Sequence, residues 1–366
     1  MLQRLKSVLD IKPKDSKDYV GVFGWMVSKS LVRTSLLLVG IFGLYYLAYI
    51  NPPSVFFGSG GVRTYSYRSI PLKFAKGDVR ITAKSGYVAY EGNVEKGFAT
   101  GTGTLYRKSG EAVYIGGFKE NRYDGEGRLY YPGGQMKYKG TFENNVYSGE
   151  GTLYRENGSK EYEGAFSKGM KEGEGKLFDS GNNVVFTGNF AWDELLYSDL
   201  LGKTTEEIAA VYTGSRKLYT DGGDEFAAAL LDIGAIYSGS RDMAALDDSV
   251  TAEGIYVLKD TVYLKARLCQ SVPDIKDLLG EAQYEGNSSV SMAEAVAISC
   301  LNDQGSAILD PVEVESVREF SDVITVHSYD PEYLVYLYSY SADELRYTFF
   351  CKEKDGKFAM YLIEKE

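Results

Sequence analysis

The sequence predicts a mostly β chain in three parts: an N-terminal transmembrane helix, an elongated array of antiparallel β-hairpins and a C-terminal α+β domain. Residues 87–190 repeat with a period of 24 and no insertions, residues 31–50 form a nearly uncharged apolar run, and beyond residue 190 the repeat ends and acidic residues accumulate. The segments implied are a basic stretch over 1–30, the membrane helix over 31–50, a linker with a degenerate leading repeat over 51–86, the repeats over 87–190 and the acidic domain over 191–366.

The repeat is read from its register. Tyr90, Tyr114, Tyr138, Tyr162 and Phe186 recur in step, each followed two residues later by Gly92, Gly116, Gly140, Gly164 or Gly188, and two further on by Val94, Phe118, Phe142, Phe166 or Phe190. The second half of each unit is a Gly-x-Gly-x-Leu-aromatic run: Gly101, Gly103, Leu105 and Tyr106; Gly125, Gly127, Leu129 and Tyr130; Gly149, Gly151, Leu153 and Tyr154; Gly173, Gly175, Leu177 and Phe178. A spacing of two places each set on one face of a strand, so each unit is two strands. Gly97, Asn121, Asn145 and Gly169 fall between them, where a tight turn needs positive φ, and Gly110, Gly134 and Gly158 close the units. Paired glycines weaken a strand unless something uses the bare backbone, and the expectation is that aromatic rings of the same sheet lie flat over it. A lone hairpin is marginal in water, so the units must stack and share one aromatic face, which gives a stiff, extended spacer.

Tyr-x-Gly-x-Phe followed by Gly-x-Gly-x-Leu-Tyr resembles the MORN repeat family. The resemblance covers four units and a fifth half-unit over 184–190; Val94 replaces the usual aromatic, and Asn182 the closing glycine, with Gly181 one early. It implies an elongated hairpin array used as a scaffold or docking surface and, in some members, contact with phospholipid. It implies no catalysis. The repeats carry 13 basic against 14 acidic residues, a near-balance that disfavours the lipid contact.

At about 1.5 Å per residue, some 20 residues cross a hydrocarbon core of ~30 Å, so residues 31–50 read as a single-pass anchor. Arg33 can snorkel, and Trp25, Tyr45, Tyr46 and Tyr49 suit the interface. A cleaved signal peptide fits poorly, because the basic lead is long and Asn51, Pro52 and Pro53 end the run abruptly. Seven basic residues against three acids over 1–34 place the N terminus in the cytoplasm and the repeats and tail outside it. Residues 58–62 read as a flexible linker. One period back from Gly101, Leu105 and Gly110 stand Gly77, Ile81 and Gly86, a degenerate unit that would cover the open edge of the first hairpin.

The tail, with 14 basic against 33 acidic residues, shows helix signals at the Thr204–Glu207 and Ser291–Glu294 capping boxes and at Pro273 with Gly280. Strands are expected over 255–258 and 261–264, joined as a hairpin through Lys259 and Asp260. Four more are expected over 323–327, 334–338, 345–350 and 358–363, as an antiparallel meander.

Chemistry is sparse. The net charge of −11 argues against nucleic acid. The glycine runs lie inside strands, not between a strand and a helix start, and so make no phosphate cradle. Glu126, Glu150 and Glu174 recur on the other face; with Arg128 and Lys176 beside them a solvated face is the simpler reading than a cation site. Tyr106, Tyr130, Tyr154 and Phe178 form an outer aromatic row, either a packed ladder or an exposed platform for a partner. His327 is the only histidine and lacks companions for a triad or a metal centre. Cys269, Cys300 and Cys351 match no zinc spacing, and the run from Asp221 to Glu225 reads as a turn. No cofactor, metal or catalytic residue is implied. The function expected is a single-pass membrane-anchored scaffold whose repeats and tail dock a protein partner of unknown identity; the alternative is a membrane-tethered enzyme or ligand-binding protein with its site in residues 196–366, the repeats serving as a stalk.

Overall fold

The computed structural model describes residues 16–22, 25–46, 61–240, 250–306, 308–312, 314–318, 323–330 and 332–366. The chain forms two compact units, Met1–Gly134 and Gln135–Glu366.

The first unit begins with a short hairpin, β1 (Tyr19–Val22) and β2 (Trp25–Ser28), followed by a 17-residue helix, Lys29–Tyr45. Ser28 caps the helix by accepting from Leu31 N. At 1.5 Å per residue, 17 residues span about 26 Å, and Ser30, Arg33 and Thr34 lie in the first turns. Among the described residues no helix is long and apolar enough to cross a membrane. The expected span over 31–50 is corrected accordingly: the helix ends at Tyr45, and residues 47–50 lie outside the described residues.

The sheet of this unit runs β8-β7-β6-β5-β4-β3, from β3 (Arg63–Ser66), β4 (Lys76–Thr82), β5 (Val88–Glu95), β6 (Phe98–Tyr106), β7 (Ala112–Lys119) and β8 (Arg122–Tyr130). Only β3 pairs in parallel, placing Tyr65 opposite Ile81. Residues 76–86 reproduce the second half of a repeat: Gly77 and Gly86 have φ of 89° and 87°, beside 62° at Gly101 and 91° at Gly110. Val79 stands opposite Gly92, at the place Gly103 takes opposite Gly116.

The second unit carries the sheet order β14-β13-β12-β11-β10-β9, from β9 (Met136–Glu143), β10 (Val146–Tyr154), β11 (Lys160–Ser167), β12 (Met170–Phe178), β13 (Val184–Ala191) and β14 (Glu194–Leu195). The repeat therefore continues past residue 190. Trp192 and Asp193, with φ of 57° and 68°, make the same two-residue turn as Lys168 and Gly169 at 52° and 89°. The turn is hard to read because Trp192 is not a usual positive-φ type, although Asp193, which tolerates that region, stands one period after Gly169.

The tail forms a mainly antiparallel sheet from β15 (Arg216–Thr220), β16 (Glu225–Leu230), β17 (Ala235–Ser240), β18 (Gly254–Val257), β21 (Tyr284–Ser289), β22 (Val314–Arg318), β23 (Val323–Tyr329), β24 (Leu334–Ala342), β25 (Leu345–Cys351) and β26 (Phe358–Lys365). Its order is β21-β24-β25-β26-β18-β17-β16-β15-β23-β22. A small hairpin of β19 (Val262–Leu264) and β20 (Arg267–Cys269) lies apart from it. Two expectations are corrected here. β18 does not pair with β19 through Lys259 and Asp260 but lies between β17 and β26. The meander holds for β24 to β26, whereas β23, which carries His327, pairs with β22 and, in parallel, with β15.

Both capping boxes form, at Thr204 with Glu207 and at Ser291 with Glu294. The second opens the helix Met292–Asp303, whose Met292, Val296 and Leu301 pack on Ala227, Ile236, Phe350 and Met360 to make the tail core. Cys269, Cys300 and Cys351 are free thiols, all buried.

Candidate interaction surface

The repeats are organised by a line of glycines. In the first unit Gly92 faces Gly103, Gly103 faces Gly116, and Gly116 faces Gly127. In the second, Gly140, Gly151, Gly164, Gly175 and Gly188 pair in the same succession. Two positions along each strand, the leucines face the tyrosines, as Leu105 faces Tyr90 and Tyr114.

Each tyrosine ring lies over the glycine line. A Cβ added at Gly103, Gly127, Gly151 or Gly175 would come within 2.4 Å of Tyr90, Tyr114, Tyr138 or Tyr162 respectively, and one at Gly188 within 2.5 Å of Phe186. On the facing strand, a Cβ at Gly92, Gly116, Gly140 or Gly164 would meet the opposing glycine Cα within 2.6 Å. No side chain larger than hydrogen fits either row.

The first glycine of each Gly-x-Gly pair has a different reason. Gly101, Gly125, Gly149 and Gly173 have φ of 62°, 86°, 61° and 88°, and no ring lies within 4 Å of a Cβ built there. Each lies where the strand bulges, as between Ser148 and Gly151 against β9. The expectation that rings cover both glycines is thus corrected: the first supplies left-handed backbone for the bulge, and only the second lies under a ring.

The rings complete one another. Tyr90, Tyr114, Tyr138 and Tyr162 are buried, and their hydroxyls donate to the carbonyls of Asn93, Gly117, Thr141 and Ala165 at 2.8, 2.9, 3.1 and 3.0 Å. Phe118, Phe142, Phe166 and Phe190 meet them edge to face, as Phe166 does Tyr138 at 5.3 Å and Tyr162 at 5.2 Å. Tyr123 stacks on Tyr114 at 3.8 Å and Tyr147 on Tyr138 at 3.9 Å. One period later Lys171 holds its ammonium 5.5 Å over Tyr162.

Burial pushes the Tyr90 phenol up to about 12 and also raises Tyr114 and Tyr162. A phenol raised in the folded state adds stability that is full below its free value near 10 and is lost as pH rises through the raised value. In an alkaline titration the phenolate absorbance of these rings is expected to appear together with loss of β circular dichroism, well above the free value. Ionisation near pH 10 with the sheet intact would contradict their burial.

Turns stitch each repeat to the one before. In the first unit Asn121 N donates to Ala99 O at 3.0 Å, and its side-chain oxygen accepts from Ala99 N at 2.7 Å. In the second, Asp193 and Lys171 make the same two bonds at 3.2 and 2.7 Å. At the opposite strand ends the Arg107 guanidinium donates to Tyr130 O at 3.0 Å and that of Arg155 to Phe178 O at 2.6 Å.

The outer row is only partly exposed. Tyr106, Tyr130 and Tyr154 are half-buried, while Phe178 is buried with the Lys160 ammonium 5.0 Å over its ring. Glu126, Glu150, Glu174, Arg128 and Lys176 are exposed. The repeats therefore offer a polar face studded with half-buried rings.

Sequence reasoning missed two clefts of the second unit. One, of about 510 Å³, lies between the fifth hairpin and the tail and is lined by Lys171, Phe190, Leu195, Leu231, Leu258 and Lys259. Lys259 pairs with Glu194 and holds its ammonium 5.6 Å over Tyr197; that pairing and the Tyr197 ring raise the lysine against the opposing effect of burial. The other, of about 210 Å³, is acidic, with Asp224, Glu225, Glu253 and Tyr256 around Ser291. Burial raises the nearby Glu294 carboxyl, against the lowering effect of its capping bonds to Ser291. Asp221 accepts from Gly223 N at 2.8 Å, a turn bond. Among the described residues no group of three or more His, Cys, Asp or Glu is placed to hold a metal ion.

No curated protein matches the chain. The tail matches no family, whereas residues 90–112, 114–136, 138–160 and 162–183 each match the family model of the MORN repeat.

Proposed function

We propose that this chain is a membrane-anchored interaction scaffold: its N-terminal helix holds it to a bilayer, and its MORN-like repeats and tail dock a protein partner there. The observation that carries the anchor is the helix Lys29–Tyr45, which has no buried residue. Leu36, Leu37, Val39, Ile41, Phe42 and Leu44 are each more than half exposed, around its whole circumference. A helix apolar on all sides has no stable place in water, and lipid is its natural solvent. The scaffold role is supported by the repeats, whose rings and glycines pack on one another and leave a regular polar face free for a partner.

A tag at the C terminus is expected to be cleaved by protease added to intact cells. Cleavage only after lysis would reverse the orientation, and release of the chain from membranes by an alkaline wash would end the anchored reading.

A second reading, a ligand-binding or catalytic tail, is favoured by the acidic cleft around Asp224, Glu225 and Glu253 beside the raised Glu294.

A further inference from the structure

We infer that the cleft between the fifth hairpin and the tail receives the free carboxy terminus of the partner protein, an apolar end whose carboxylate meets the Lys171 ammonium. The inference rests on the scaffold reading above and names the chemistry of its partner. Every residue that lines the cleft belongs to the second unit. Its volume of about 510 Å³ takes roughly three apolar residues.

Lys171 departs from its row. Ala99, Tyr123, Tyr147, Lys171 and Leu195 stand one period apart, and where Tyr147 stacks on Tyr138 the next repeat puts a cation. The Lys171 side chain is only 17% exposed; its ammonium lies 5.5 Å over the Tyr162 ring and 3.6 Å from Glu161 Oε1, too far for a hydrogen bond. Among the described residues that ammonium makes no hydrogen bond. A mostly buried ammonium whose donors lack an acceptor is a place for an anionic oxygen. Lys259, the other cation of the cleft, is already held by Glu194.

The walls are apolar: Phe190, Leu195 and Leu258 are buried, and Leu231 is half-buried. Asp193 and Asp232 also line the cleft and are exposed, which sets them at its margin. Asp193 accepts from Lys171 N at 2.7 Å, and Asp232 from the Tyr212 hydroxyl at 2.7 Å and from Ser215 N at 3.0 Å. No cation pairs with either acid among the described residues. The lining thus holds a cation without an acceptor inside and two acids without a cation at the edge. A chain end answers all of it: the carboxylate meets Lys171, the last side chains meet the apolar walls, and a basic residue just before them meets the two acids. A small apolar acid would satisfy Lys171 but leave the marginal acids unanswered.

The test uses the full chain in detergent and three fluorescein-labelled peptides, Lys-Ala-Leu-Leu, Lys-Ala-Leu-Val and Lys-Ala-Leu-Phe, with binding read by fluorescence polarisation. At least one is expected to bind saturably, and amidation of its carboxylate to weaken it about tenfold or more. Lys171→Met should erase that difference by weakening the free acid alone, with circular dichroism unchanged, and Lys171→Arg should restore it. Glutamate in place of the peptide lysine should also weaken binding. Leu231→Trp, at a half-buried position, should fill the cleft and abolish binding of acid and amide alike. Acid and amide bound equally, or no peptide bound at millimolar concentration, would overturn the site. Displacement by 4-phenylbutyrate at the concentration at which the peptide itself competes would overturn the peptide and make this a small-acid site. A chain that stays on membranes through an alkaline wash yet binds no peptide would sink this inference and leave the anchored scaffold. Peptide binding by a chain that the wash releases would end the anchor and leave the site.

Discussion

Gly151→Ala is expected to destabilise the second unit by about 3 kcal/mol, although the substitution adds a single methyl group. The Cβ would lie 2.3 Å from the Tyr138 hydroxyl oxygen and 2.6 Å from the ring. Tyr138 cannot yield cheaply, because Tyr147 stacks on it at 3.9 Å and Phe142 and Phe166 meet it at 5.0 and 5.3 Å. Its hydroxyl also donates to Thr141 O, a bond lost if the ring lifts. Two positions earlier, Gly149→Ala meets nothing closer than Thr141 at 3.7 Å, and its penalty is the left-handed φ of 61°, about 1 kcal/mol. Denaturant unfolding of the full chain in detergent, followed by circular dichroism, separates the two: equal penalties would mean that conformation alone explains both glycines.

Lys259→Met is expected to lower the stability of the same unit by about 2 kcal/mol, the second largest effect. Lys259 joins the end of β18 to Glu194 on the fifth hairpin, and each side chain is about one-third exposed. Breaking a fully buried pair by removing one partner costs about 3–5 kcal/mol, and partial exposure reduces that. The Glu194 carboxylate left behind would lose its cation, and the Tyr197 ring the ammonium that lies over it. The double variant Glu194→Gln with Lys259→Met should recover most of the loss, since no charge is then stranded. The lysine is raised in the folded state, so its contribution is full below the free lysine value and fades as pH climbs through the raised one. A Lys259→Met chain as stable as the parent would mean that the hairpin and tail are held by apolar packing alone.

The repeats were legible because their signals are local. Tyr-x-Gly sets the ring beside the glycine line, and Gly97, Asn121, Asn145 and Gly169 mark turns whose φ values are all positive. The same locality hid the end of the array. Trp192 takes a left-handed conformation that its residue type resists, beside Asp193, which bonds to Lys171 in the preceding repeat. The bulge at Gly101, Gly125, Gly149 and Gly173 was invisible because two glycines at a spacing of two look alike, whichever needs the angle and whichever needs the space.

The tail was legible at its caps and obscure in its sheet. Ala227 to Leu230 are buried without alternation, so β16 carries no period-two signature, and the stretch read only as a turn at Asp221. The pairing of β18 with β26 joins residues about a hundred apart in sequence, which no spacing rule reaches. The acidic cleft gathers Glu225, Glu253 and Ser291 from three distant segments for the same reason.

Steric contact between a tyrosine ring and the bare backbone beneath it is what specifies this repeat, and a double-mutant cycle between Tyr138 and Gly151 measures it. In a Tyr138→Leu background, Gly151→Ala is predicted to lose at least half of its roughly 3 kcal/mol penalty, because the ring that the methyl group strikes is gone. Penalties that add to within about 0.5 kcal/mol would show that the glycine answers to something other than the ring.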